Sequence, residues 1–347
     1  MLDFTDNYSK IGISRVTFIL NLNLKEALFS NMGQVDVAFL STLAFISIGF
    51  LLKKGGIIKD HEGRVLSRLL MHTTFPALMV VSTIGIDLNP SLFLIPLFAV
   101  FVSAVMLSIA YFVFKKEMMA IRGVLTMSSG GWNVGLFGFP LIESIWGSKA
   151  LLFAIMYDIG NTFLAFGVLY PIGNYFSETP SKGKLSMFKK VLLLPPVLGM
   201  LLGLSLNATS IPLPVIIEEL LTTLAKANKP FVLLLLGIYL SFELDKKQLK
   251  GILKVLSIRY GIGLLTILLL YFLLPKTLMT SVLMALVILP VGMSVLLFSD
   301  ELGFDSRIAG TLANLSLLVS FGLLWLVITY KRLLQRVEFQ DPTRRQL

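Results

Sequence analysis

The sequence predicts an all-α polytopic membrane protein, with ten transmembrane helices arranged as two inverted five-helix repeats and crossed broken helices. Three observations carry this prediction. Of 347 residues, 56% are hydrophobic and only 14% charged, and the mean hydropathy is +0.85. Apolar runs recur at bilayer-spanning length, and the longest polar linker divides them five and five. A soluble domain carries nearer about a quarter charged residues. A crossing helix takes about 20 apolar residues, so ten use roughly 200 and leave short loops. A barrel is excluded, because its strands alternate polar and apolar positions, whereas Val191–Leu206 and Ile262–Leu274 are apolar all round.

In chain order, residues 1–32 form an N-terminal extension. Asp3, Asp6, Asn21, Asn23 and Lys25 interrupt its apolar residues, so a cleaved signal peptide is not expected. Two readings stay open, an interfacial helix from about Ile11 and translation starting at Met32. Residues 33–176 hold the first repeat, with spans at 35–53, 64–85, 92–114, 121–145 and 149–173. A cytoplasmic linker at 177–188 contains Pro180 and Gly183 among lysines and reads as a solvated connector. Residues 189–332 hold the second repeat, with spans at 189–206, 213–243, 251–274, 279–301 and 306–331, before a basic tail at 333–347.

Entry of the first span from outside places sixteen lysines and arginines in cytoplasmic loops, among them Lys53, Lys59, Arg64, Lys116, Lys254 and Arg307, and only Lys149 and Lys276 in the outer loops. The positive-inside rule favours that orientation, although the basic tail then falls outside. The net charge of +10 is therefore read as topology, and no nucleic-acid partner is expected. Five spans per half invert the second half relative to the first, as in transporters built from inverted repeats. Internal likeness follows the same order: Phe75-Pro76 with Lys229-Pro230, Phe166-Gly167 with Phe321-Gly322, and the interrupted fourth span with the interrupted ninth.

The chemistry concentrates at those interruptions. Gly130, Gly131 and Pro140 crowd the fourth span around Asn133 and Gly135, and the ninth carries Pro290-Val291-Gly292. Gly costs about 1 kcal/mol and Pro about 3 kcal/mol in a helix interior. Unwound backbone at membrane depth survives only inside protein or against a water-filled cavity, so two matched breaks point to a binding site. Counting back from the closing turns at Gly147 and Gly303 sets Val134 opposite Pro290. Two helix N-termini meeting there would favour an anionic group. Tightly packed, kinked helices without a ligand are the bland alternative.

Asp158 lies about nine residues beyond Lys149, or roughly 14 Å at 1.5 Å per residue, near the bilayer midplane. A carboxylate there costs about 2.5–3.5 kcal/mol and is a functional candidate by default. It couples a proton or cation, contacts substrate, or satisfies broken backbone. Asn161 and Thr162 share its helix face. Thr311 and Asn314 are the candidate counterparts in the tenth span. Arg68 and Arg259 read as lipid or helix-end partners near the cytoplasmic face. Lys226, Asn228 and Lys229 precede Pro230 in a segment long enough to begin with an interfacial helix, and the lysines snorkel.

Cysteine is absent, which removes disulfides, thiolate chemistry and thiolate metal sites. No Walker loop, dinucleotide fingerprint, HExxH or nucleophile elbow occurs. An enzyme is not expected, nor a metal or cofactor beyond a coupling proton or sodium ion.

The stretch Asn133-Val-Gly-Leu-Phe-Gly138-Phe-Pro140-Leu141, with Leu289-Pro290-Val-Gly292, Phe298, Glu301-Leu-Gly303, and Pro230 with Leu233–Gly237, resembles the auxin efflux carrier family, in particular its bacterial members. The likeness covers about residues 33–332. It implies the fold of sodium/bile acid symporters, with a dimerising scaffold of spans one, two, six and seven and a transport domain of the other six that moves like an elevator. It also implies carboxylate contact by Asn133 and Asn161. The chain differs from the plant carriers in having Trp132, where they have Pro, and in lacking their long central loop; bacterial members are associated with malate or malonate. The expected function is therefore secondary active transport of a small organic anion, malate/malonate-like or auxin-like, across a bacterial cytoplasmic membrane by a homodimer. The substrate site comprises Asn133, Gly135, Asn161, Pro290, Val291 and Gly292, with Asp158 as coupling residue. The alternative of another class is a non-transporting receptor or regulatory subunit that senses a ligand with this fold.

Overall fold

The computed structural model describes residues 34–84, 90–177, 193–209, 211–240 and 248–340. The predicted N-terminal extension, most of the linker and the last part of the basic tail lie outside the described residues. The first predicted span is α1 (Gln34–Lys54). The second changes direction at Thr73, between α2 (Asp60–His72) and α3 (Thr74–Thr83). The third is α4 (Leu94–Val113). The fourth is α5 (Met119–Ser129), a break, a π-helical turn at Val134–Gly138, and α6 (Phe139–Trp146). The fifth runs continuously through α7 (Ser148–Leu164), a second π-helical turn at Ala165–Leu169, and α8 (Tyr170–Phe176).

The second half holds α9 (Pro195–Thr209), α10 (Val215–Tyr239) and α11 (Leu249–Leu273). It ends with the broken pair α12 (Leu278–Leu286) and α13 (Met293–Glu301), then α14 (Ser306–Gln340). Among the described residues, seven helices are long and apolar enough to cross a membrane. The predicted fourth and ninth spans are each in two pieces. The sixth is represented by the 15 residues of α9, about 22 Å at 1.5 Å per residue. No strand occurs among the described residues, and the seven apolar helices make this a helical polytopic membrane protein. α14 continues to Gln340, past the predicted span end at 331.

The apolar surface is turned outward as a bilayer requires. Phe101, Phe112, Leu268, Phe272 and Leu273 are exposed, while Ala99, Met106, Phe137, Ile142 and Ala154 are completely or almost completely buried. Two packing groups result. α1, α2, α3, α9 and α10 pack on one another, while α4 with α7, α5 with α8, and α11 to α14 form the second. The groups meet where α1 and α10 touch α6 and the first π-helical turn, where α3 touches α7 and where α1 touches α14.

Glycine makes the first group tight. A Cβ on Gly49 of α1 would land on the Leu234 carbonyl of α10, and one on Gly237 of α10 on the Ile46 carbonyl of α1. Gly199 and Gly203 of α9 face the Pro76 carbonyl and the Thr83 hydroxyl of α3 in the same way. This is small-residue packing of membrane helices, in which backbones approach because no side chain intervenes. Contrary to expectation, no separate interfacial helix precedes Pro230, since α10 runs unbroken through it. The reason is packing, because Asn228 is buried and accepts a 2.8 Å hydrogen bond from the Thr74 hydroxyl.

Candidate functional site

The two breaks are made by different backbone chemistry and meet in space. α5 stops at Ser129 because Gly130 is extended and Gly131 takes φ +64, a left-handed conformation that favours glycine. α12 stops at Leu286, four residues before Pro290, which has no N–H with which to continue a helix. The released strands pair as one antiparallel bridge, Trp132 with Val291. Within it the Asn133 N–H donates to the Pro290 carbonyl at 2.9 Å. Pro140 differs from its reading as a helix break, because it stands in the first turn of α6, where its missing N–H costs no intrahelical bond.

Side chains from α7 and α14, and from the breaks themselves, hold the crossover. The Asn161 Oδ1 of α7 accepts from the Trp132 N–H at 2.8 Å, and its Nδ2 donates to the Trp132 carbonyl at 2.9 Å and to Asp158 Oδ1 at 2.9 Å. The Trp132 indole N–H donates to the Val287 carbonyl at 3.2 Å, so one break reaches into the other. The Val291 N–H donates to Ser316 Oγ of α14 at 2.9 Å. Ser316 of the tenth span therefore holds the second break. Asn133 caps the first π-helical turn by accepting from the Leu136 N–H at 3.2 Å.

Arg259 of α11 is the residue that sequence reasoning missed. It is no lipid partner, being 2% exposed, and the helix end it meets is the broken end of α5 in the protein interior. Its Nη1 lies within hydrogen-bond distance of four successive carbonyls: Ser128 at 3.2 Å, Ser129 at 3.3 Å, Gly130 at 3.0 Å and Gly131 at 2.8 Å. Its Nη2 donates to the Leu289 carbonyl at 3.0 Å. A charge taken into the interior of a membrane protein needs such compensation. The only local signal was a lone arginine inside an apolar run.

On the other side of the crossover lies a cavity of about 890 Å³. Asn133, Gly135, Leu136, Asp158 and Thr162 line it, with Met293 and Ser294 of the first turn of α13. Its other walls are mainly apolar, including Phe75, Phe139, Phe166 and Met200, and Arg64 and Asp300 also line it. Pro290, Val291 and Gly292 stand behind this wall, and the Val291 N–H is already committed to Ser316. The donors offered from the second break are therefore those of Met293 and Ser294, for which the helix supplies no carbonyl. Asn161 likewise spends both amide protons on Trp132 and Asp158. Among the described residues no cluster of His, Asp and Glu suited to a metal ion occurs.

Among the described residues, a helical membrane protein with two opposed helix breaks beside a cavity has the architecture of a transport protein. Comparison with known proteins agrees. Residues 35–187 match the family model described as membrane transport protein. An uncharacterized transporter of Methanothermobacter thermautotrophicus is 27% identical over 221 residues, covering 61% of this chain and 70% of that protein. An uncharacterized transporter of Methanocaldococcus jannaschii is 24% identical over 221 residues, covering 60% of this chain and 70% of that one. Residues 35–187 thus resemble the membrane transport protein family, that of the auxin efflux carriers, and the chain is an integral multi-pass membrane protein.

Proposed function

We propose that this chain is a secondary active transporter of a small organic anion, bound where the two broken helices cross and carried by elevator motion. The observation behind this reading is that two helix beginnings, at Val134 and at Met293, face one cavity. Helix N-termini present free N–H groups and about half a positive charge each, which suits a carboxylate. Asn133 and Gly135 from one break and the leading N–H groups past Gly292 from the other hold the anion. Asn161 acts as a positioning residue behind them. The mainly apolar wall favours a carboxylate with an apolar body over a small dicarboxylate.

Ten spans in two inverted repeats are supported by the packing. α1 against α10 and α9 against α3 are the same pair of positions exchanged between halves, and both are glycine seams. The glycine-packed group serves as scaffold and forms the homodimer in the cytoplasmic membrane, and the second group carries the site. Arg64 lines the same cavity, and the positive-inside rule assigns it to the cytoplasm, so the cavity is the inward-facing one. Asp158, whose Oδ1 holds Asn161, is the coupling group.

The test is carboxylate flux into liposomes containing the purified chain. Asn133→Ala is expected to lose roughly tenfold in flux, about 1.4 kcal/mol, without loss of folded protein. Normal flux in that variant overturns the site. Saturable ligand binding without any flux in the unmodified chain would instead make it a receptor or regulatory subunit.

A further inference from the structure

At the crossover the helix ends separate by polarity. The beginnings at Val134 and Met293 face the cavity, whereas the end of α5 and the carbonyl of Leu289, three residues past α12, converge on Arg259. Each helix C-terminus carries about half a negative charge, so two ends and one guanidinium come close to neutrality. The geometry resembles coordination more than ordinary pairing. Nη1 has two protons, yet four carbonyl oxygens lie 2.8–3.3 Å from it. Converging carbonyls from unwound backbone and half-helix ends are what membrane transporters use to hold a coupling cation.

We infer that the Arg259 guanidinium is a resident cation filling, from α11, the site where the broken helices would otherwise take an inorganic cation. The crossover of this chain is then complete without sodium or potassium. This deepens the transport reading, for it leaves the proton as the coupling ion. Arginine suits the post because its planar, permanently charged fork reaches several acceptors at once, whereas lysine offers a compact charge on a flexible stem. Trp132 closes the site, its ring centroid lying 6.0 Å from the guanidinium carbon.

The experiment reads thermal stability of the detergent-purified full chain, not flux, so its outcome is independent of whether transport is detected. The unmodified chain is expected to melt at one temperature in sodium, potassium and choline chloride at equal ionic strength. Arg259→Ala is expected to melt several degrees lower in choline and to recover on addition of guanidinium or methylguanidinium at non-denaturing concentration. Guanidinium leaves the unmodified chain unchanged. Arg259→Lys is expected to melt between the two, with no response to guanidinium. Where Arg259→Ala folds only when purified with guanidinium present, the inference is supported. Stabilisation of the unmodified chain by sodium or potassium over choline overturns it. So does an Arg259→Ala protein that ignores every cation, or that cannot be recovered with any of them.

Discussion

The side-chain amide of Asn161 closes both hydrogen bonds of residue Trp132, accepting from its N–H at 2.8 Å and donating to its carbonyl at 2.9 Å. A side chain thus does for an unwound residue what a neighbouring strand would do in a sheet. It also explains why the position can be Trp rather than Pro, because a proline would offer Asn161 no proton. Each buried polar group left without its partner costs about 1–3 kcal/mol.

Asn161→Ala should therefore destabilise the protein by about 2–5 kcal/mol, since it orphans the N–H and the carbonyl of Trp132 together. Asn161→Asp should fare little better, because it loses the donor and sets a carboxylate against Asp158. Chemical or thermal denaturation of the detergent-solubilised variants measures both. A change below about 1 kcal/mol for Asn161→Ala would mean that the break is held by the backbone bridge alone.

The glycine seam between α1 and α10 predicts a contrast within one residue type. Gly237→Ala drives a methyl onto the Ile46 carbonyl and should abolish recovery of folded protein or lower the melting temperature steeply. Gly261 of α11 meets nothing within 4 Å. Gly261→Ala should raise stability by up to about 1 kcal/mol, the helix-propensity difference. Size-exclusion profiles and melting curves compare the two directly.

Tyr157 is fully buried against Trp132, ring centroids 5.1 Å apart, and among the described residues its hydroxyl has no hydrogen-bond partner. Tyr157→Phe keeps the ring contact and removes a stranded polar atom. It should be neutral or stabilising by about 1 kcal/mol, read as an equal or higher melting temperature. A marked loss would show that the hydroxyl takes part in the hydrogen-bond network of the crossover.

The breaks were legible because glycine and proline act on their own backbone. Gly131 and Pro290 carry their conformational consequence wherever they stand, and counting from Gly147 and Gly303 sets Val134 against Pro290, one residue away from the observed pairing of Asn133 with Pro290. The partners that hold the breaks were not legible in the same way. Arg259 lies about eight residues inside the predicted start of its span at 251, roughly 12 Å, within reach of either the membrane surface or the interior. Only the relative placement of α5, α11 and α12 decides. Ser316 is one of many small polar residues in apolar helices, and nothing local distinguishes it from Asn314. The π-helical turns at Val134–Gly138 and Ala165–Leu169 have no residue pattern of their own and follow from packing. Asn161 was placed on the right face, but its two bonds to Trp132 depend on how α7 lies against the unwound segment.

Where Gly49, Gly199, Gly203 and Gly237 bring helices together with no room for a methyl group, α1, α3, α9 and α10 become a single stiff panel. Bending such a panel would force carbonyls into neighbouring backbone. A displacement of the crossover relative to it therefore has to be taken up at the borders where α1 and α10 meet α6 and the first π-helical turn, α3 meets α7 and α1 meets α14. If the proposed transport reading holds, those borders are the sliding faces, and sequence change there would set the rate of movement.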